Sequence, residues 1–358
     1  MQTQRNELKF DGQNIYVGID VHLKSWNVTI MSEQLHLKTF NQAPDPFKLM
    51  TYLNGNFPNA NFVSAYEAGF CGFWIHRKLT ALGVNNIVVN AADIPTTQKE
   101  TTSKSDPVDS RKIARFLRSG ELTGISVPNI ETEGDRILLR SRYQILQDLG
   151  RFRRRIKSLL YFQGVTYPKE IENTTHWSAR FIKWLSDDVH FESESARQSL
   201  SLLVTEAIHL RTLLLDVNSR IKKLSMTALY EKKIKLMKSV PGIGITTGMT
   251  LLAEIEDISR FSNTDKFAGF VGIVPTCHSS GEKEAFGEIT FRGKKLLRTY
   301  LVESAWIAAR IDPALSKAFS DLCMRMPVNN AIIRIAKKLL NRIYYVLKNE
   351  REYKLCVV

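Results

Sequence analysis

The stretch TTSKSDPVDSRKIARFL, residues 101–117, sets Asp106 and Asp109 three positions apart within a basic run. Acids at i and i+3 share one face of a helix. Two further acids close apolar runs: Asp20 in VGIDVH and Glu67 in SAYEAG. Four carboxylates brought together would repel and raise one another's pKa values. A pair of Mg²⁺ ions about 4 Å apart (or Mn²⁺) relieves that repulsion; one ion activates an attacking oxygen while the other steadies a leaving one. The plainer reading gives Ser105 or Asp106 the helix cap, Pro107 the first turn and Asp109 the dipole. It leaves Asp20 and Glu67 as solvated strand-end acids. The four taken together, at matching element ends, favour a metal site.

A second candidate is Ser280, with Ser279 beside it, in TCHSSGEKEAFG. Ser-Ser-Gly on its own reads as a turn in a loop. A hydroxyl becomes a nucleophile only when a base or a metal activates it. Arg292, Lys294, Lys295 and Arg298 follow closely and would stabilise charge on a phosphorane-like transition state. His278 is a possible proton acceptor, but no Ser–His–Asp spacing is present.

The elements that must position these residues are of two kinds. IYVGIDVH (15–22), SWNVTIM (25–31), NFVSAYEA (61–68) and NNIVVNA (85–91) read as strands with helical segments between them. This β-β-…-α-β-α-β order predicts an α/β domain with a mixed sheet, followed by the helix that carries Asp106 and Asp109. In an RNase H-like sheet, those ends and that helix start converge on one spot. From about residue 134 the period changes. Leu200, Leu203, Ala207, Leu210, Leu214, Val217, Ile221 and Leu224 alternate steps of three and four, the pattern of a coiled-coil seam. With apolar positions at 138, 145, 149, 152, 156 and 159, they predict a long antiparallel helical hairpin joined by a polar connection through Pro168 and Trp177. SVPGIGITTGMTLLAEI (239–255) then reads as a tight turn feeding a helix. In helix-hairpin-helix DNA binders the amides of such a turn face a phosphate, here those of Gly242 and Gly244.

The formal net charge is +14 over 358 residues, and it is segregated. Residues 1–100 are balanced, eight cations to eight anions, whereas residues 134–163 hold eight to two and residues 292–358 fourteen to five. Clustered positive charge points to a phosphate-backbone partner. Lys104, Arg111, Lys112 and Arg115 beside the aspartates, and Arg151, Arg153, Arg154 and Arg155 on the first long helix, are the candidate phosphate contacts. Four scattered cysteines without a C-x-x-C pair fit a reducing cytoplasm, and no apolar run long enough to span a bilayer is present.

YVGIDVHLKSWNVTI, YEAGFCGFW, TTSKSDPVDSRKIARFL, VPGIGITTGMTLLAEI and FAGFVGIVPTCHSSGEKEAFGEITFRGKKLLRTYL together resemble the insertion-sequence one-ten family of transposases. These are the DEDD transposases, now known as bridge-RNA-guided recombinases. The resemblance runs from about residue 15 to 345, with its five blocks in family order. It implies an N-terminal tail (1–14), a RuvC-like (RNase H fold) DEDD domain (15–132) and a coiled-coil hairpin (133–232). An α-helical C-terminal transposase domain with a helix-hairpin-helix-like turn and a nucleophilic serine (233–358) would follow. By position the family acids fall on Asp20, Glu67, Asp106 and Asp109, and the serine on Ser280. His278 stands where the family pattern has an aromatic such as tyrosine. The resemblance further implies Mg²⁺, a structured non-coding bridge RNA, double-stranded donor and target DNA, and a homo-oligomer from dimer to tetramer. The expected location is the bacterial cytoplasm at the nucleoid, with no membrane partner. Two rival readings remain at this stage: a RuvC-like Holliday-junction or structure-specific endonuclease using metal-activated water, and a non-catalytic nucleic-acid scaffold.

Overall fold

The computed structural model describes residues 10–95, 106–172, 177–280, 283–290 and 293–355; the side chains of residues 106, 107, 172, 276–280 and 283–288 lie outside that description. The chain divides into two compact units, residues 1–127 and 128–358.

In the first unit, β1 (Asn14–Val21), β2 (Trp26–Met31) and β3 (His36–Gln42) form an antiparallel meander. After α1 (Pro46–Asn56), β4 (Asn61–Glu67) pairs parallel to β1, and after α2 (Trp74–Ala81), β5 (Asn85–Val89) pairs parallel to β4. The sheet order is therefore β3-β2-β1-β4-β5. α3 (Asp106–Arg118) completes the unit. β3 is an addition to the sequence reading. Its HLKTFNQ is polar at the edge of the sheet, half-exposed, and lacks an apolar run.

The period of two sorts the strand residues between two faces. Ile15, Val17, Ile19, Phe62 and Tyr66 meet Leu49 and Leu53 of α1 and Ile75 and Leu79 of α2. On the opposite face Tyr16, Val63, Ala65, Ile87 and Val89 meet Ile113, Phe116 and Leu117 of α3. The result is a sheet between two helical layers.

The second unit is built on α4 (Ile130–Phe162) and α7 (Glu194–Leu224), packed antiparallel. Leu149, Ile156 and Leu160 meet Leu200, Val204, Ala207 and Leu210, whereas at the other end Leu138, Leu139 and Ile145 join the core that holds Val217 and Ile221. The connection departs from expectation. It contains α5 (Lys169–Glu172) and α6 (Ala179–Asp187), and Trp177, Phe181, Trp184 and Leu185 bury themselves against the helix pair. The apolar spacing 177, 181, 184 within an otherwise polar segment is helical, and one turn of burial is enough to organise it.

Around the base of the pair stand α8 (Glu231–Lys238), α9 (Ile245–Ile255), α10 (Thr264–Val271), α11 (Lys295–Ile311), α12 (Pro313–Cys323) and α13 (Val328–Asn349). Between α10 and α11 runs an antiparallel ribbon, β6 (Pro275–Ser280) and β7 (Lys283–Ile289). The serine block, expected as a loop, is thus a strand end: Ser279 pairs with Glu284 and Ser280 with Lys283. Short runs flanking Ser-Gly pair when each completes the other's backbone hydrogen bonds, a non-local effect invisible to a local turn rule. Among the described residues no helix is long and apolar enough to cross a membrane.

Candidate functional site

Asp20 and Glu67 stand at the C-terminal ends of adjacent parallel strands. The register pairs Ile19 with Tyr66, so the next step along both strands sets Asp20 beside Glu67. Asp20 shares the parity of Tyr16 and Glu67 that of Val63 and Ala65; both therefore lie on the α3 face. Neighbouring strands are about 4.8 Å apart, within reach of a shared cation. His22, two residues on from Asp20, sets Nε2 3.0 Å from Asp20 Oδ2. Sequence reasoning passed over His22 at this site. The i, i+2 spacing in IDVH was its signal, since such residues share a strand face.

α3 approaches this face closely because Gly18 lacks a side chain. A Cβ there would overlap the Ser110 carbonyl oxygen and the Ala114 nitrogen. Ser110 Oγ lies 2.9 Å from Thr29 Oγ1, and Thr29 pairs with Gly18 across the β1–β2 ladder. Lower on the strand, Tyr16 feels the charge of Arg118. Two strand residues advance about 6.6 Å, a little over four helix residues. Counting up from Ser110 and Ala114, which flank Gly18, the first turn of α3 reaches the level of Asp20. That turn carries Asp106 and Asp109. The side chain of Asp109 is half-buried, and that of Asp106 falls outside the described residues.

Among the described residues no group of three or more His, Cys, Asp or Glu stands together tightly enough to hold a metal ion. Asp20 and Glu67 nevertheless supply paired hard oxygen donors of the kind that suits Mg²⁺ or Mn²⁺.

The candidate phosphate contacts divide sharply. Arg111 and Arg115 are exposed on α3, whereas Lys112 is buried (8% exposed) and does not stand out from the helix as expected. Lys104 and Arg292 lie outside the described residues. On α4, Arg151 pairs with Asp148 at 2.6 Å, Arg155 covers the Phe152 ring, and Arg154 is exposed. Gly244 is exposed at the N-terminus of α9, but Gly242 is held against α11, where a Cβ would overlap the Ser304 carbonyl; its φ of +83° favours glycine independently.

Lys294 and Arg298, read as phosphate-facing, are engaged inside the second unit. Arg298 Nη1 donates to the carbonyls of Thr290 (2.8 Å) and Gly272 (3.2 Å). Lys294 pairs with the buried Glu254, which also receives Arg140 Nη2 at 2.6 Å and lies 3.9 Å from Arg136 Nε. Burial pushes the Glu254 carboxyl up, but Lys294 and then Arg140 outweigh it and hold its pKa below the ordinary value. Burial also drags the Lys294 ammonium down, against the pull of Glu254. Three cations sharing one carboxylate tie the start of α11, α4 and α9 together; Lys295, by contrast, is exposed.

A mixed sheet with carboxylates closing two adjacent strands defines an α/β protein with a basic helical second unit. Comparison with known proteins is more specific. A family model described as "Transposase", of the IS110 DEDD type, matches residues 17–163, and one described as "Transposase IS116/IS110/IS902 family" matches residues 234–320. The chain belongs to the IS110/IS116 family of transposases. It is 28% identical over 278 residues to a putative transposase, y4qE, of Sinorhizobium fredii, covering 78% of this chain and 66% of that protein. It is 27% identical over 256 residues to the transposase for insertion sequence element IS1533 of Leptospira borgpetersenii, covering 70% and 72%. A pilin gene-inverting protein of Moraxella bovis is 32% identical over 129 residues, 34% of this chain and 38% of that protein.

Proposed function

We propose that this transposase is an RNA-guided recombinase of an insertion sequence. In this reading it cuts and rejoins donor and target DNA through a phosphoserine link, and its first unit is RuvC-like. The observation that carries the proposal is the pairing of Asp20 with Glu67 on the face where α3 begins, in a chain of this family. Asp20, Glu67, Asp106 and Asp109 would hold divalent cations. When bound, such ions supply charge neutralisation at the phosphate and acidify the attacking hydroxyl.

The chain's own residues do the rest. Gly18 and the Thr29–Ser110 bond fix how closely α3 lies on the sheet; in this reading its first-turn acids join the strand-end acids. Asp20 orients His22 through the 3.0 Å contact between its Oδ2 and His22 Nε2. Ser280, at the end of β6, is the nucleophile: its Oγ bonds to phosphorus, the phosphorus–oxygen bond to one sugar breaks, the serine proton is lost and the released sugar oxygen gains one. One phosphodiester replaces another, so rejoining needs no ATP. The gene-inverting relative supports rejoining, since inversion requires both cutting and resealing.

Sequence choice would rest with a structured RNA that pairs with donor and target DNA, while the protein grips backbone and shape through Arg111, Arg115, Arg154 and Lys295. Subunits would associate as dimers or tetramers. The test is incubation of the protein, Mg²⁺ and the element's non-coding RNA with DNA carrying the element's ends. A covalent protein–DNA adduct lost in Ser280→Ala supports the proposal. Persistent cleavage in that variant, abolished only by Asp20→Asn, would instead indicate hydrolysis by a junction-type nuclease.

A further inference from the structure

Arg153 on α4 and Arg211 on α7 converge on Trp177 from the two long helices. The Arg153 guanidinium lies 5.1 Å from the Trp177 ring centroid, and Arg211 Nη1 donates to the Trp177 carbonyl at 3.1 Å. Trp177 itself is 8% exposed and holds φ at +73°, a left-handed conformation that a bulky side chain rarely adopts.

Elsewhere in the unit, shielded arginines have acidic or neutral acceptors: Arg142 donates to Asn218 Oδ1 and the Tyr300 hydroxyl, and Arg298 to the carbonyls of Gly272 and Thr290. Arg136 meets Glu254 and Glu256, Arg260 meets Glu256, and Arg342 meets Asp312. Among the described residues Arg153 Nε is buried and has no hydrogen-bond partner. Burial lowers the Arg153 pKa, and the second cause is a like charge, Arg211. A shielded guanidinium beside another cation is costly until an anion joins them. The planar fork of arginine fits a phosphate, and the ring beneath it holds the fork flat. Arg154 and Arg155 follow on the same helix, both exposed.

We propose that Arg153, Arg211 and Trp177 form a seat for one phosphodiester group of a bound polynucleotide, beside the long helix pair. The inference deepens the nucleic-acid reading above and is independent of its cleavage chemistry, because no acid of the first unit takes part. DNA and RNA present the same group, and the probes distinguish them.

The experiment uses the full chain in EDTA, as wild type, Arg153→Gln, Arg211→Gln and Arg153→Lys. Labelled single-stranded DNA, duplex DNA and an RNA hairpin, each about 30 nucleotides per strand, are titrated over a series of KCl concentrations, with melting followed in parallel. Each neutralised phosphate contact removes about 0.7–0.9 from the slope of log K against log salt. Both Gln variants should bind more weakly and lose about one contact's worth of slope, while Arg153→Lys keeps the slope. Arg153→Gln should melt no lower than wild type, since it relieves a like-charge pair. A change confined to the RNA probe assigns the seat to RNA, and one confined to duplex assigns it to DNA; either supports the seat. Unchanged slopes in both Gln variants would overturn it, whatever the melting shows. Failure of the wild type to bind any probe would overturn both this seat and the nucleic-acid reading. Loss of DNA cutting alone would leave the seat standing.

Discussion

Gly18 and Ser110 are in backbone contact: a single added Cβ on Gly18 would occupy the space of the Ser110 carbonyl oxygen. One missing side chain in β1 therefore sets how closely α3 lies on the sheet face that carries Asp20 and Glu67.

Gly18→Ala should destabilise the first unit by about 1–3 kcal/mol, because the obstructing atoms are backbone and cannot rotate away. Chemical denaturation checks the stability. A milder change, Ser110→Ala, removes only the 2.9 Å bond to Thr29 and should cost about 1 kcal/mol.

Asp20→Asn should leave folding intact, since Asp20 is partly solvent-exposed at a strand end, yet lower strand cleavage on the order of 10³-fold or more. Circular dichroism and a cleavage assay on the same preparation separate the two effects. Loss of fold together with activity would make Asp20 a structural residue.

Glu254→Gln should cost about 3–5 kcal/mol by leaving Lys294, Arg140 and Arg136 without their shared anion. The pH dependence has a definite sign. The folded Glu254 pKa lies below its unfolded value, so the contribution is complete above about pH 4.3 and fades as pH falls through the folded pKa. Urea titrations should show an acid-side loss of stability in the wild type that is smaller in Glu254→Gln.

Phe181→Ala should cost about 3–5 kcal/mol, because this fully buried ring packs against Trp177, Trp184 and Tyr167 in the connection between the long helices. The melting temperature measures it. A negligible change would mean that the connection is not part of the core.

Much of this was legible in the sequence for physical reasons. The strands around Asp20 and Glu67 announce themselves because buried parallel strands are apolar on both faces, and the α7 stripe because a helix pair repeats its burial every three to four residues. β3 stayed hidden because an edge strand with solvent on one side carries few apolar residues. The Ser279–Ser280 strand stayed hidden because pairing with β7 is a relation between segments. Lys294 and Arg298 show the limit of charge counting: composition marks a cation, but only packing reveals that Glu254 and two carbonyls have claimed it. Trp177 and Arg153 illustrate the converse, since neither residue type nor spacing discloses a guanidinium left facing a like charge.

The proposed reaction requires both Ser280, as nucleophile, and the acids Asp20, Glu67, Asp106 and Asp109, as cation ligands. The direct measurement is denaturing gel analysis of labelled element-end DNA incubated with its non-coding RNA, Mg²⁺ and wild type, Ser280→Ala or Asp20→Asn protein. The expected result is a covalent adduct with wild type alone, and DNA binding retained in both variants. Cleaved DNA without an adduct, or an adduct undiminished in Ser280→Ala, would contradict it.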